Sequence, residues 1–140
     1  METARTTRTN VFLVEDSAPI RMRLAEMLGA INGVSIVGEA DAPASAIEGI
    51  LRTRPDSVVL DIQLIGGSGI EVLRKIRPVE PGIVFIMLTN HPDPQYRRIC
   101  LEAGANYFLD KSSEFEKVMD VLRDLANMDK APMPSGRNRL

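Results

Sequence analysis

Residues 56–73 read DSVVLDIQLIGGSGIEVL, and three structural signals follow one another within them. Ser57–Leu60 is compatible with burial on both faces and leads straight into Asp61. A loop with three glycines comes next, and then 69–77 turns amphipathic, with Ile70, Leu73 and Ile76 on one helical face. A short apolar run, a glycine-rich turn and a 3.6-residue period together make a strand–loop–helix unit. The unit recurs in both directions. Upstream, 11–14 and 34–40 read as strands. Each precedes a helical pattern, at 18–31 behind a Ser17 N-cap and at 43–54 opened by Pro43. Downstream, 82–88 is the most apolar strand, and 94–104 is a helix stopped by Gly104. The last strand is 106–109 and the last helix 113–128, capped by Ser112 or Ser113.

Strands alternating with helices at this spacing imply β-α-β units and a parallel sheet. The runs are apolar throughout, as expected when helices cover both faces of a sheet. The expected fold is therefore α/β: a doubly wound, five-stranded parallel sheet in a three-layer sandwich. The 140 residues suit one domain, expected at 10–128 between a disordered arm at 1–9 and a flexible tail at 129–140. Hydrophobic residues make up 44% and charged residues 26%, a soluble globular balance. A net charge of −2 without a basic stripe argues against direct DNA binding, because phosphate neutralisation needs clustered Lys and Arg. The single cysteine, Cys100, excludes an intrachain disulfide framework and a cysteine zinc cluster. No apolar run reaches the roughly 18 residues of a membrane span.

In doubly wound sheets, ligands sit beyond the carboxyl ends of the strands, where the strand order reverses. The residues at those ends carry chemistry. Glu15 and Asp16 follow the first strand, Asp61 the third, Thr89 ends the fourth, and Lys111 follows the fifth. Each has an ordinary explanation alone: loop charge, a turn residue, a surface lysine, a strand-end threonine. If the central strands are neighbours, these ends bring three carboxylates, a hydroxyl and one ammonium to one rim. Carboxylates held this closely repel one another and need a cation or raised pKa values. An oxygen-rich site with few protein ligands suits Mg²⁺.

The segments VFLVEDSAPIR, SVVLDIQL and GANYFLDKS resemble the receiver domain of bacterial two-component response regulators, from about Val11 to Met128. The resemblance implies the CheY-like, flavodoxin-like (βα)5 sandwich and a stand-alone phosphoacceptor that is not an enzyme beyond its own phosphorylation and dephosphorylation. Asp61 would take a phosphoryl group from a phosphohistidine on a sensor histidine kinase or a phosphotransfer protein. Mg²⁺ would be held by Asp16, Asp61 and the backbone carbonyl of Gln63, with Glu15 acting through a water. Lys111 would pair with the phosphoryl oxygens, Thr89 would move to hydrogen-bond them, and Phe108 would be the aromatic that changes rotamer. A downstream protein would dock on the face made by helix four, strand five and helix five, residues 94–127, where Tyr96, Ile99, Tyr107 and Met119 lie. A phosphorylation-linked dimer is compatible with the same face, and the expected compartment is the cytoplasm.

Several positions depart from the family pattern. Ile65 stands where many relatives carry proline, Asn90 where a small residue is usual, and Ser112 where a cis proline often follows the lysine. A non-prolyl cis bond costs about 2.5–4 kcal/mol, so Lys111–Ser112 is expected to be trans. His91 and Gln63 are candidates for tuning water access to a phosphoryl group. Two alternatives use the same residues differently: a receiver fragment of a DNA-binding response regulator, and a Mg²⁺-dependent phosphohydrolase. The phosphohydrolase motif needs a second carboxylate where this chain has Gln63. Flavin binding is disfavoured, because Glu15 and Asp16 would repel a flavin phosphate.

Overall fold

The computed structural model describes residues 9–90 and 92–130, with side chains through Met128. The N-terminal arm up to residue 8, the tail from residue 131 and the tuning candidate His91 lie outside the described residues. Five strands form one parallel sheet: β1 (Thr9–Val14), β2 (Val34–Ala40), β3 (Ser57–Leu60), β4 (Val84–Thr89) and β5 (Tyr107–Asp110). Their spatial order is β2-β1-β3-β4-β5, so the order reverses between β1 and β3. The helices are α1 (Ala18–Gly29), α2 (Pro43–Thr53), α3 (Gly69–Ile76), α4 (Pro94–Glu102) and α5 (Lys117–Lys130).

The continuous apolar runs divide between two cores by the two-residue period of a strand. Val11, Leu13, Val59, Ile86, Leu88 and Leu109 meet Leu24 and Leu28 of α1 and Val118 and Leu122 of α5. Their neighbours Phe12, Val14, Val58, Leu60, Phe85, Met87 and Phe108 meet α2, α3 and Cys100 of α4 on the other face. Local chemistry starts the helices as expected. The Ser17 hydroxyl accepts from the Ile20 amide and Pro43 opens α2. The structure adds a cap that the sequence reading did not include: Ser68 and Glu71 form a reciprocal capping box on α3.

The structure corrects four boundaries. Thr9 belongs to β1 rather than to the arm, and α5 continues through residues 129 and 130 rather than ending at 128. Gln63–Leu64 and Gly67–Ser68 pair as a minimal antiparallel hairpin inside what reads as a plain loop, with Gly66 turning it at a φ of +79°. The last helix starts at Lys117, not at 113. Ser112 and Ser113 do not cap it, because both hydroxyls donate backwards to the Asp110 carboxylate. No cis peptide bond occurs among the described residues, so Lys111–Ser112 is trans.

Candidate functional site

Each site residue is delivered by a strand end, and the sheet ladder runs one residue further to hold its backbone. The Glu15 amide donates to the Ala40 carbonyl at 3.0 Å, the Asp61 amide to the Val14 carbonyl at 3.0 Å, and the Lys111 amide to the Thr89 carbonyl at 2.8 Å. Because β1 and β3 are neighbours and β4 and β5 follow in order, these ends converge. Glu15, Asp61, Thr89 and Lys111 are all buried, whereas Asp16 is exposed at the rim.

Lys111 is the hub. Its Nζ donates to Glu15 Oε1 at 2.7 Å and to Asp61 Oδ2 at 3.1 Å. Carboxylate oxygens of Glu15, Asp16 and Asp61 lie within 4.8 Å of one another. Three carboxylates against one ammonium give the cluster a formal net charge of −2, although Lys111 pairs with both Glu15 and Asp61. Burial, partly opposed by Lys111, pushes the Asp61 carboxyl above its ordinary range. Burial likewise raises Glu15, against the lowering effect of its bonds to Lys111 and the Ser17 amide. For Lys111, burial alone would lower the pKa, but the Glu15 hydrogen bond and the neighbouring carboxylate charges outweigh it, and the net direction is up. The ammonium therefore stays charged. An all-oxygen donor set with an uncompensated charge of this sign fits a hard divalent cation.

Two further residues shape the site and were not singled out from the sequence. Arg21 sends Nη1 to the Glu15 carbonyl at 2.7 Å and Nε to Glu39 at 3.2 Å, bracing the loop that carries Glu15 and Asp16. Gly69 lies so close to the Asp61 carbonyl that a Cβ there would collide with it. Its helical neighbourhood gives no local hint of that contact, whereas three glycines in one short loop do mark a close approach.

The remaining candidates are placed as follows. Gln63 opens the hairpin two residues after Asp61 with its side chain exposed. Phe108 is buried, and the Arg97 guanidinium of α4 lies 5.9 Å from its ring centroid. The β4–β5 register sets Met87 beside Phe108 and Thr89 beside Asp110. Of the four residues expected on the docking face, only Tyr107 is exposed. Tyr96 packs on the core that holds Phe108, and Met119 on the opposite one. A cleft of about 460 Å³ is lined by Arg23, Asn90, Lys111 and Phe115 among others, and by none of the three carboxylates.

A family model described as the response regulator receiver domain matches residues 11–123. The chain belongs to the receiver domain family of response regulators. This receiver domain is 31% identical over 115 residues to the DNA-binding transcriptional activator DevR/DosR of Mycobacterium tuberculosis, covering 82% of this chain and 53% of that protein. It is 37% identical over 120 residues to protein-glutamate methylesterase/protein-glutamine glutaminase 1 of Carboxydothermus hydrogenoformans, covering 84% of this chain and 35% of that protein. Among solved structures, a LuxR-family two-component response regulator from Aurantimonas sp. SI85-9A1 superposes with a TM-score of 0.77 at 29% identity, covering 86% of each chain. The receiver domain spans about half the length of the curated relatives it matches first (53%, 54% and 53%). No helix among the described residues is long and apolar enough to cross a membrane.

Proposed function

We propose that this receiver domain is a phosphoacceptor in a two-component phosphorelay and that Asp61 is the residue modified. The observation that carries this is the buried Asp61 carboxylate, shared through one lysine with Glu15 and set beside a third carboxylate. An Asp61 oxygen would attack the phosphorus of a phosphohistidine on a sensor histidine kinase or phosphotransfer protein. An O–P bond forms, the P–N bond breaks, and its electron pair leaves with the imidazole. Such transfer asks the protein mainly for positioning and charge neutralisation. Mg²⁺, when bound, supplies part of that neutralisation. Asp16, Asp61 and the Gln63 carbonyl would hold it directly, and Glu15 through a water. Lys111 would follow its Asp61 partner onto the phosphoryl oxygens.

A phosphoryl group adds about −1.5 to −2 charges and three acceptor oxygens. That is enough to draw the Thr89 hydroxyl inward and to favour the buried rotamer of Phe108. The resulting signal would be read on the α4–β5–α5 face by a protein partner, with dimerisation linked to the same change and the cytoplasm as the compartment. The chain would have no catalytic activity beyond forming and losing its own phosphoryl group. Gln63 supports this over the phosphohydrolase, since its exposed amide supplies no second carboxylate.

The test is incubation with a small phosphodonor and Mg²⁺, followed by intact mass. One phosphoryl adduct, acid-stable and base-labile, is expected on the parent chain and none on Asp61→Asn, because an amide is no nucleophile for this transfer. Full adduct yield in the variant would sink the assignment. The DNA-binding relative favours a second reading, in which the same domain regulates DNA binding as part of a longer protein. For the 140 residues themselves, no sequence-specific DNA retention in a gel-shift assay is expected, given the net charge of −2.

A further inference from the structure

Lys111 has to hold a flexible side chain on two carboxylates, yet the chain after it is neither strand nor helix until Lys117. The turn is closed by side chains instead. One Asp110 oxygen accepts from the Ser112 amide at 3.0 Å and from the Ser112 hydroxyl at 2.8 Å, and the other accepts from the Ser113 hydroxyl at 3.1 Å. In return the Asp110 amide donates to Glu114 Oε1 at 2.9 Å. Glu114 Oε2 in turn pairs with Lys117 at 3.0 Å, in the first turn of α5. The Asp110 carbonyl also accepts from the Glu114 amide at 2.7 Å. Asp110 is half-buried at the end of β5 and Lys111, the next residue, is buried, and the register sets Asp110 beside Thr89.

We propose that Asp110 is a positioning residue, whose carboxylate clamps the turn after β5 and so aims the Lys111 ammonium at Glu15 and Asp61. This rests on Asp61 as the phosphoacceptor only for its consequence in transfer; the clamp itself is a property of Lys111. The Ser112 amide and hydroxyl bonds hold the Asp110 carboxyl below its usual range, so it accepts at neutral pH. Asp110 touches neither the cluster of carboxylates nor any reacting atom, and acts through the backbone on either side of Lys111. Its loss should leave the cation-binding carboxylates in place and disturb only the lysine.

The experiment compares the parent chain with Asp110→Ala, Asp110→Asn and the double variant Ser112→Ala/Ser113→Ala. Two quantities are read at a temperature where circular dichroism shows each folded. The first is the phosphorylation rate against concentration of a small phosphodonor with Mg²⁺. The second is the rate at which an amine-acylating reagent labels Lys111 in metal-free protein, followed by peptide mass. Asp110→Ala should lower the maximal phosphorylation rate about tenfold to a hundredfold, with the half-saturating donor concentration and Mg²⁺ affinity unchanged. Lys111 labelling should rise about tenfold in the same variant as its pairing loosens. Asp110→Asn keeps an oxygen for both Ser112 bonds and should fall between parent and alanine. The double serine variant changes only exposed side chains and gives the same direction should Asp110→Ala fail to fold. Labelling and maximal rate both within about twofold of the parent would overturn the clamp. A parent chain that takes no phosphoryl group at all refutes the Asp61 assignment, and the labelling arm then decides the clamp alone.

Discussion

Two buried or half-buried cations sit at opposite ends of the same sheet and are satisfied in opposite ways. Arg77, at the C-terminus of α3, reaches across the N-terminal ends of β4 and β5. Its five donors meet the carbonyls of Pro81, Ile83 and Gly104 and the Asn106 side-chain oxygen, at 2.6–3.1 Å. The guanidinium also stacks 4.9 Å from the Phe85 ring centroid. Every one of these partners is neutral. Burial lowers the Arg77 pKa from its ordinary value far above neutrality, and the group stays charged. Lys111, at the carboxyl ends, has two carboxylates for partners and a third close by. Arg77 completes its surroundings, whereas Lys111 leaves its own incomplete by two charges. A planar five-donor group with neutral acceptors is a finished staple. A point charge among excess carboxylates remains open to a cation and to a transferred anion.

Breaking each hub in turn should expose that difference. Lys111→Met strands two buried carboxylates and should cost the metal-free fold about 3–5 kcal/mol in urea denaturation. Adding Glu15→Gln and Asp61→Asn should return most of that loss, since the penalty belongs to unpaired charge rather than to lost packing. A triple variant as unstable as Lys111→Met would contradict this origin. Arg77→Met should cost about 1–3 kcal/mol, because it leaves the part-buried carbonyls of Ile83 and Gly104 without these donors. Its phosphorylation rate, measured well below the unfolding temperature, should match the parent. A rate defect there would mean that the two ends are coupled. Asp16→Ala is the smallest change and carries the opposite sign. Removing one of three repelling carboxylates should raise metal-free stability by about 0.5–1 kcal/mol while weakening Mg²⁺ binding, read by titration. Unchanged Mg²⁺ affinity would remove Asp16 from the ligand set.

How much of this was legible from the chain follows from the range of each interaction. The apolar run at 57–60, the N-cap at Ser17 and the stop at Gly104 are written in neighbouring residues, and the structure repeats them. The start of α5 was misplaced because Ser112 and Ser113 look like helix caps until Asp110, two and three residues back, takes their hydroxyls. Arg77 gave no signal, since a donor fork shows its purpose only once its partners are in place, and for Gly69 the only signal was the glycine-rich loop it closes.

The sequence by itself determined the alternation of strands and helices, the doubly wound class and the residue types at the strand ends, because periods of 2 and 3.6 are local properties. Tertiary structure alone decided which of those ends meet. Lys111 bonds Glu15 across 96 residues and Asp61 across 50, and Arg77 reaches Gly104 across 27. Contacts at such separations depend on strand order, and no window of sequence records that order. The excess negative charge of the site exists only because β1 and β3 lie side by side, with β4 and β5 following.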